Sequence, residues 1–173
     1  PAPAALLLAA GIAATGAGVA LVWGSETIAG LGLVGAMLVP VPVAFEGGVT
    51  ALGTAFAAFV LAPTLALAIW REWRGLMVTS IVAATPQAVA LVASDHPHRL
   101  AVAIAFWLIL GVAGVAHALR VGVRGLTAST IVWSGVFAGY SAAFVFDGRS
   151  EGLALLAIAI ADGVASVGLA TRD

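Results

Sequence analysis

The sequence predicts an all-α fold, a polytopic transmembrane bundle of about seven helices in consecutive hairpins, on three observations. Seven apolar stretches fill the chain from end to end, each close to the ~20 residues a helix needs to cross the roughly 30 Å hydrocarbon core of a bilayer. The short turns between them hold nearly all the charge. Finally, 62% of the 173 residues are hydrophobic, 9% are charged and the mean hydropathy is +1.16. A soluble domain carries roughly a quarter charged residues, so too few charges remain here to cover a water-facing surface. Where no water can reach, a helix satisfies its own backbone.

Composition also excludes several functions. A formal net charge of −1 provides no basic face for nucleic acid. The absence of cysteine removes disulfides, thiolate metal sites and cysteine nucleophiles. All seven basic residues are arginine, and Ala, Val, Gly and Leu dominate, as in proteins of GC-rich bacterial genomes. The first stretch is too long for a cleaved signal peptide and lacks a basic start. Opening on Pro1-Ala2-Pro3 and stopping at Asp173 directly after a helix, residues 1–173 read as a single transmembrane helical domain cut from a longer polypeptide.

The first segment is expected over Ala4 to Trp23, with Pro1 and Pro3 placed where a helix start tolerates a missing N–H. The second, Thr27 to Val43, begins behind Ser25 and Glu26, a cap and a dipole partner, and ends at Pro40-Val41-Pro42. The third, Val49 to Trp70, contains Pro63, and the fourth, Leu76 to Ala93, contains Pro86. Each proline removes one backbone bond and is expected to kink its helix. The fifth runs Leu100 to Leu119, the sixth Leu126 to Phe146 and the seventh Gly152 to Leu169.

Arginine placement predicts orientation, because loops rich in Arg or Lys stay in the cytoplasm. The loops after segments one, three and five, with the C-terminal tail, hold Arg71, Arg74, Arg120, Arg124 and Arg172. The opposite side holds Arg99 and Arg149, together with the acids Glu46, Asp95, Asp147 and Glu151. The C-terminal end is therefore expected in the cytoplasm and the N-terminal end of this stretch outside. Trp23, Trp70 and Trp73 then mark the inner interface, and Phe45 and Phe146 the outer one, as structural belts rather than binding groups.

Arg74-Gly75-Leu76 recurs fifty residues on as Arg124-Gly125-Leu126, and Thr79-Ser80-Ile81-Val82 recurs as Ser129-Thr130-Ile131-Val132. Two readings stand: a duplicated two-helix hairpin in parallel orientation, or two inner loops that independently need an arginine, a glycine and an apolar helix start.

Asp162 is the most informative single residue, since a carboxylate in the middle of an apolar segment is costly in lipid and should face protein. Ala159, Gly163 and Ser166 share its side of the helix and admit a close neighbour. By depth, Gln87 and Tyr140 lie within about two turns of it, and Thr85, Ser134 and Ser141 are further candidates to line the same interior. One reading is a proton or ion relay or a polar substrate site; the other is a hydrogen-bonded structural tie. Ser94-Asp95-His96-Pro97-His98-Arg99 could supply metal ligands from Asp95, His96 and His98, but it reads better as a hydrophilic turn, and no metal site is expected. His117 reads as an imidazole near a helix C-terminus. Glu46-Gly47-Gly48 reads as a flexible turn rather than an acidic site. Phosphate-binding loops, zinc-protease helices and serine-nucleophile elbows are absent from the sequence, so no catalytic residue and no cofactor is assigned. Gly135, Gly139 and Ala143 form a small-residue stripe suited to close helix packing.

The run Trp23-Gly24-Ser25-Glu26-Thr27-Ile28-Ala29-Gly30-Leu31-Gly32-Leu33-Val34-Gly35-Ala36-Met37-Leu38-Val39-Pro40, followed by a hairpin turning at Trp70-Arg71-Glu72-Trp73-Arg74-Gly75-Leu76, resembles a bacterial membrane-protein family known as domain of unknown function 2339. The resemblance covers about the first 95 residues by motif. It implies an all-helical, multi-spanning cell-envelope protein, and it carries over packing motifs but no catalytic residue.

Together these readings lead to an expected integral inner-membrane protein, a noncatalytic structural or scaffold subunit partnered by the bilayer and by other membrane subunits or the rest of its own chain. Two alternatives stand beside it. One is a small-solute or ion transporter using Asp162, Gln87 and Tyr140; the other is an enzyme acting on lipid-linked substrates with acids drawn from Glu46, Asp95, Asp147 and Glu151.

Overall fold

The computed structural model describes residues 2–38, 51–94, 97–122, 125–146 and 148–170. Among them the chain is all-helical: α1 (Ala2–Trp23), α2 (Glu26–Leu38), α3 (Ala51–Arg71), α4 (Arg74–Ala93), α5 (Arg99–Val121), α6 (Gly125–Val145) and α7 (Arg149–Ala170). The helices from α3 to α6 are long and apolar enough to cross a membrane. The seven expected segments are matched helix for helix, with ends displaced by a few residues. For the second segment the description stops at Leu38, so Pro40-Val41-Pro42, Phe45 and Glu46-Gly47-Gly48 lie outside the described residues.

These helices form two compact units, Pro1–Leu91 and Val92–Asp173. In the first, α1 packs along α2, and α3 lies against both. Its core is built of small and flexible side chains, among them Ala20, Ala29, Met37, Leu61 and Leu65. The crossing of α1 and α2 is set by two glycines: a Cβ built on Gly16 would lie 2.9 Å from the Gly32 Cα, and one built on Gly32 would lie 2.9 Å from the Gly16 Cα. At this crossing α2 widens to a π-turn over Gly30–Val34 before closing again at Gly35–Leu38. Neither the direct backbone approach nor the π-turn was anticipated from the glycine-rich run.

The two described turns of this unit end a helix in the same way. Gly24, at φ +63°, terminates α1, and Ser25 N–H donates back to the Ala20 carbonyl at 3.1 Å. At the end of α3, Trp73 N–H donates to Ala68 O at 2.8 Å and Glu72 N–H to Ile69 O at 3.4 Å, with Glu72 at φ 59°. This is the paired 6→1 and 5→2 closure that satisfies the last carbonyls of a helix. It places a side chain-bearing residue in the left-handed region, where glycine is at ease and other residues pay.

Pro63 and Pro86 lie inside α3 and α4, which run through them as helices. A threonine next to each ring bonds the preceding turn: Thr64 Oγ1 donates to Val60 O, and Thr85 Oγ1 to Ile81 O, both at 2.7 Å. Membrane helices tolerate proline when neighbouring hydroxyls meet the carbonyls around the break.

In the second unit α5 and α6 make the most extensive helix pair, and α7 packs chiefly on α6. Gly114 lets them meet, since a Cβ there would come 2.8 Å from Ile131 Cγ1. The Phe106 and Phe137 rings, 6.0 Å apart and tilted by 46°, fill the interface.

Replacing Gly32 by alanine should force α1 and α2 apart and destabilise the protein by about 1–3 kcal/mol, the usual cost of overpacking. Gly18→Ala, where no atom lies within 4 Å, should leave stability unchanged. Thermal unfolding of both variants in detergent checks the contrast.

Candidate functional site

Asp162 sits on α7 and is half-buried. Its carboxylate is pressed against the α6 backbone, where a Cβ on Gly135 would come within 2.6 Å of Asp162 Oδ2. The same groove, of about 450 Å³, is lined by Trp107, Gly111 and Val112 of α5, by Ile131 and Ser134 of α6, and by Asp162. Ser134 is 1% exposed, and its hydroxyl donates to the Trp107 carbonyl at 3.3 Å, tying α6 to α5. Asp162 is the one acidic or basic side chain among the described lining residues, so the groove offers no pair of groups for general acid–base chemistry.

The other candidates have partners of their own. Gln87 belongs to the first unit, where it is buried and its Nε2 donates to the Met37 carbonyl at 2.6 Å. That carbonyl lies in the last described turn of α2, so the amide ties α4 to α2. Tyr140 stacks on Phe144 with ring centroids 4.7 Å apart. Thr85 bonds Ile81 O, and Ser141 bonds Phe137 O at 2.8 Å. Of the small-residue stripe, Gly135 meets Asp162, and a Cβ on Gly139 would lie 3.9 Å from Leu155 Cδ2. Ala143 is exposed.

Three polar arrangements were not legible beforehand. Glu26 reaches beyond its own helix: its Oε1 accepts from Leu76 N–H at 2.6 Å, capping the start of α4. The cap Ser25 supplies to α2, accepting from Ile28 N–H at 3.4 Å, was expected. Gly75 makes room for the Glu26 carboxylate, since a Cβ there would come 2.9 Å from Oε1. His117 is 4% exposed, with Nδ1 at 2.7 Å from Thr127 Oγ1 on α6, and Thr127 Oγ1 lies 3.3 Å from Gly122 O. With the threonine proton on that carbonyl, Nδ1 carries the proton of the shorter bond. The Arg71 guanidinium carbon lies 5.7 Å from the centre of the Trp70 ring and 5.4 Å from that of Trp73, within cation–π range.

Asp95 and His96 lie outside the described residues, so the proposed metal turn is represented only by the exposed His98. Among the described residues no three His, Cys, Asp or Glu side chains converge on a point that could hold a metal ion. Glu46, Asp147, Arg124 and Arg172 also lie outside, as do the side chains of Arg149 and Ser166.

Gln87→Leu should remove this buried tie between α4 and α2 and cost about 1–3 kcal/mol of stability, read as a lower unfolding temperature of the purified chain in detergent. No family model matches the chain, and neither a curated protein nor a solved structure matches it.

Proposed function

We propose that this chain is a noncatalytic structural subunit of the bacterial inner membrane, a multi-pass helical protein that packs against other membrane subunits or further parts of its own polypeptide. The single observation that carries this reading is where the polar side chains of the helices spend their hydrogen bonds. Thr64, Ser80, Thr85, Gln87, Thr130, Ser134 and Ser141 all donate to backbone carbonyls. Groups used this way hold helices in shape and in register, and are not held ready for a substrate. Leu153, Leu156, Ile160 and Val164 of α7 leave an exposed apolar face suited to lipid or to another helix. The resemblance to domain of unknown function 2339 is of the same kind, resting on packing motifs.

Five arginines at one set of loops, Arg71, Arg74, Arg120, Arg124 and Arg172, against Arg99 and Arg149 at the other, support a cytoplasmic C-terminal end. The native chain has no cysteine, so single cysteines report topology cleanly. A cysteine replacing Glu72 should resist a membrane-impermeant maleimide added outside intact cells, and one replacing His98 should react. The reverse pattern overturns the orientation.

A second reading, transport of a small solute or an ion, is favoured by one observation, the Asp162 carboxylate facing an apolar groove. Purified protein in liposomes loaded with a pH-sensitive dye should show no proton or cation flux above empty vesicles. A flux that Asp162→Asn abolishes would replace the structural reading with the transport one.

A further inference from the structure

We propose that the turn between α3 and α4 holds the phosphate of an anionic phospholipid between Arg71 and Arg74. The proposal rests on the membrane-spanning reading above, but not on which side of the membrane the turn faces.

Its location follows from the helices on either side. Both α3 and α4 are long and apolar enough to cross a bilayer, so the short turn that joins them lies at the surface, at headgroup depth. The turn is closed by Trp73 N–H on Ala68 O and by Glu72 N–H on Ile69 O. Its two arginines are three residues apart in the chain, which leaves at most about 11 Å between their Cα atoms, so both side chains can reach one headgroup.

Three observations select the ligand. The first is that both cations are available. Among the described residues neither guanidinium has a hydrogen-bond or ion-pair partner, Glu72 included: Arg71 makes its two indole contacts, and Arg74 is exposed. The neighbouring acid, Glu26, is committed to the Leu76 N–H. The second is that Arg71 is held in position. Its guanidinium carbon lies 5.7 Å and 5.4 Å from the centres of the Trp70 and Trp73 rings, and a Cβ on Gly24 of the adjacent turn would come 3.4 Å from its Nη2. A guanidinium placed in advance loses little freedom on binding, and its fork of N–H groups matches the oxygens of a phosphate.

The third observation separates a lipid from a free ion. Trp23 and Trp70 are 71% and 56% exposed, and indoles settle among lipid headgroups, where one end is apolar and the other wet. From Arg74 along α4, at a spacing of four, come Val78 and Val82, 45% and 66% exposed. Residues at this spacing share one face of a helix, so an apolar track for an acyl chain leads away from the arginine. Free phosphate would satisfy the arginines and leave the indoles and valines uncovered. A zwitterionic headgroup brings its own cation beside two others, whereas an anionic one does not.

The test uses the full chain in detergent micelles with dioctanoyl phosphatidylglycerol as the probe. Dioctanoyl phosphatidylcholine and inorganic phosphate are the controls for charge and for the free ion. Tryptophan fluorescence should change saturably with the glycerol lipid, and the choline lipid should bind at least about tenfold more weakly. Arg71→Gln and Arg74→Gln should each weaken binding of the glycerol lipid by about tenfold, since each loses a charge-assisted hydrogen bond. Circular dichroism and gel filtration report whether each variant folds. Should Arg71→Gln fail to fold, Arg74→Gln, at an exposed side chain, decides the matter. Equal affinity for the two lipids overturns the proposal, as does wild-type affinity in Arg74→Gln. So does displacement of the lipid by inorganic phosphate at equal concentration, which would mean a site for the free ion. Carbonate washing of membranes that contain the chain separates this proposal from the reading beneath it. Retention in the membrane with no headgroup preference removes this proposal alone, and release into the wash removes the multi-pass reading and this proposal with it.

Discussion

The constraint on which the rest of this structure depends is that an apolar surrounding offers no partner to a polar atom. Every carbonyl and hydroxyl in the helices must therefore be answered from within the protein. Among the described residues no buried side-chain nitrogen or oxygen lacks a partner. The solution is local and repetitive: Thr15, Thr79, Ser129 and Ser141 each return their proton to the carbonyl one turn back at 2.8 Å. A hydroxyl used this way contributes nothing between helices. Other side chains do reach a second helix. Glu26 caps α4, Gln87 bonds Met37 O of α2, His117 meets Thr127 near the end of α5, and Ser134 bonds Trp107.

Approach between helices is set by the size of the residue at the crossing. At Gly16 and Gly32 two backbones are in direct contact, and at Gly114 a side chain takes the space a Cβ would fill. Close approach of this kind lets dispersion substitute for the hydrophobic drive that lipid removes. The same device at Gly135 has a different result, because the atom it admits belongs to a carboxylate. Structural packing and the candidate site thus share one mechanism, a missing Cβ at the point of closest approach.

Helix number and placement were legible because length and hydropathy decide them with no reference to tertiary contacts. Ser25 as a cap was legible too, since it acts within three residues of itself. Glu26 was read as a partner for its own helix because dipole arguments are local, yet its carboxylate reaches a backbone N–H fifty residues away. Gln87 and Asp162 were grouped by depth alone. Depth fixes height in a membrane but not azimuth or neighbour, and each residue has its own surroundings, Met37 O for one and the Gly135 backbone for the other. Trp107 escaped notice as a groove residue because an aromatic in an apolar segment carries no distinguishing local pattern. The π-turn at Gly30–Val34 likewise follows from a crossing that only the fold defines.

The likeness between Arg74-Gly75-Leu76 and Arg124-Gly125-Leu126 continues well beyond the letters. Residues 77, 80, 84, 87, 88, 91 and 92 of α4 are buried, and so are 127, 130, 134, 137, 138, 141 and 142 of α6. Positions 75, 78, 79, 82, 86 and 93 are exposed, as are 125, 128, 129, 132, 136 and 143. Thr79 and Ser129, fifty residues apart, make the same 2.8 Å bond to Gly75 and Gly125. Two helices can share a 3.6-residue period and still differ in phase, so this agreement, which fails at pairs such as 76/126, 81/131 and 90/140, puts most of the two faces in one register. Set in that register, the departures become informative. Ala84 and Thr85 of α4 stand where α6 has Ser134 and Gly135. Those two substitutions supply the hydroxyl that ties α6 to α5 and remove the Cβ that would push Asp162 away. The Ser134 hydroxyl and the Gly135 gap thus fall among the positions where α6 departs from α4, which also differ at 77, 78, 83, 86, 87 and 89–92.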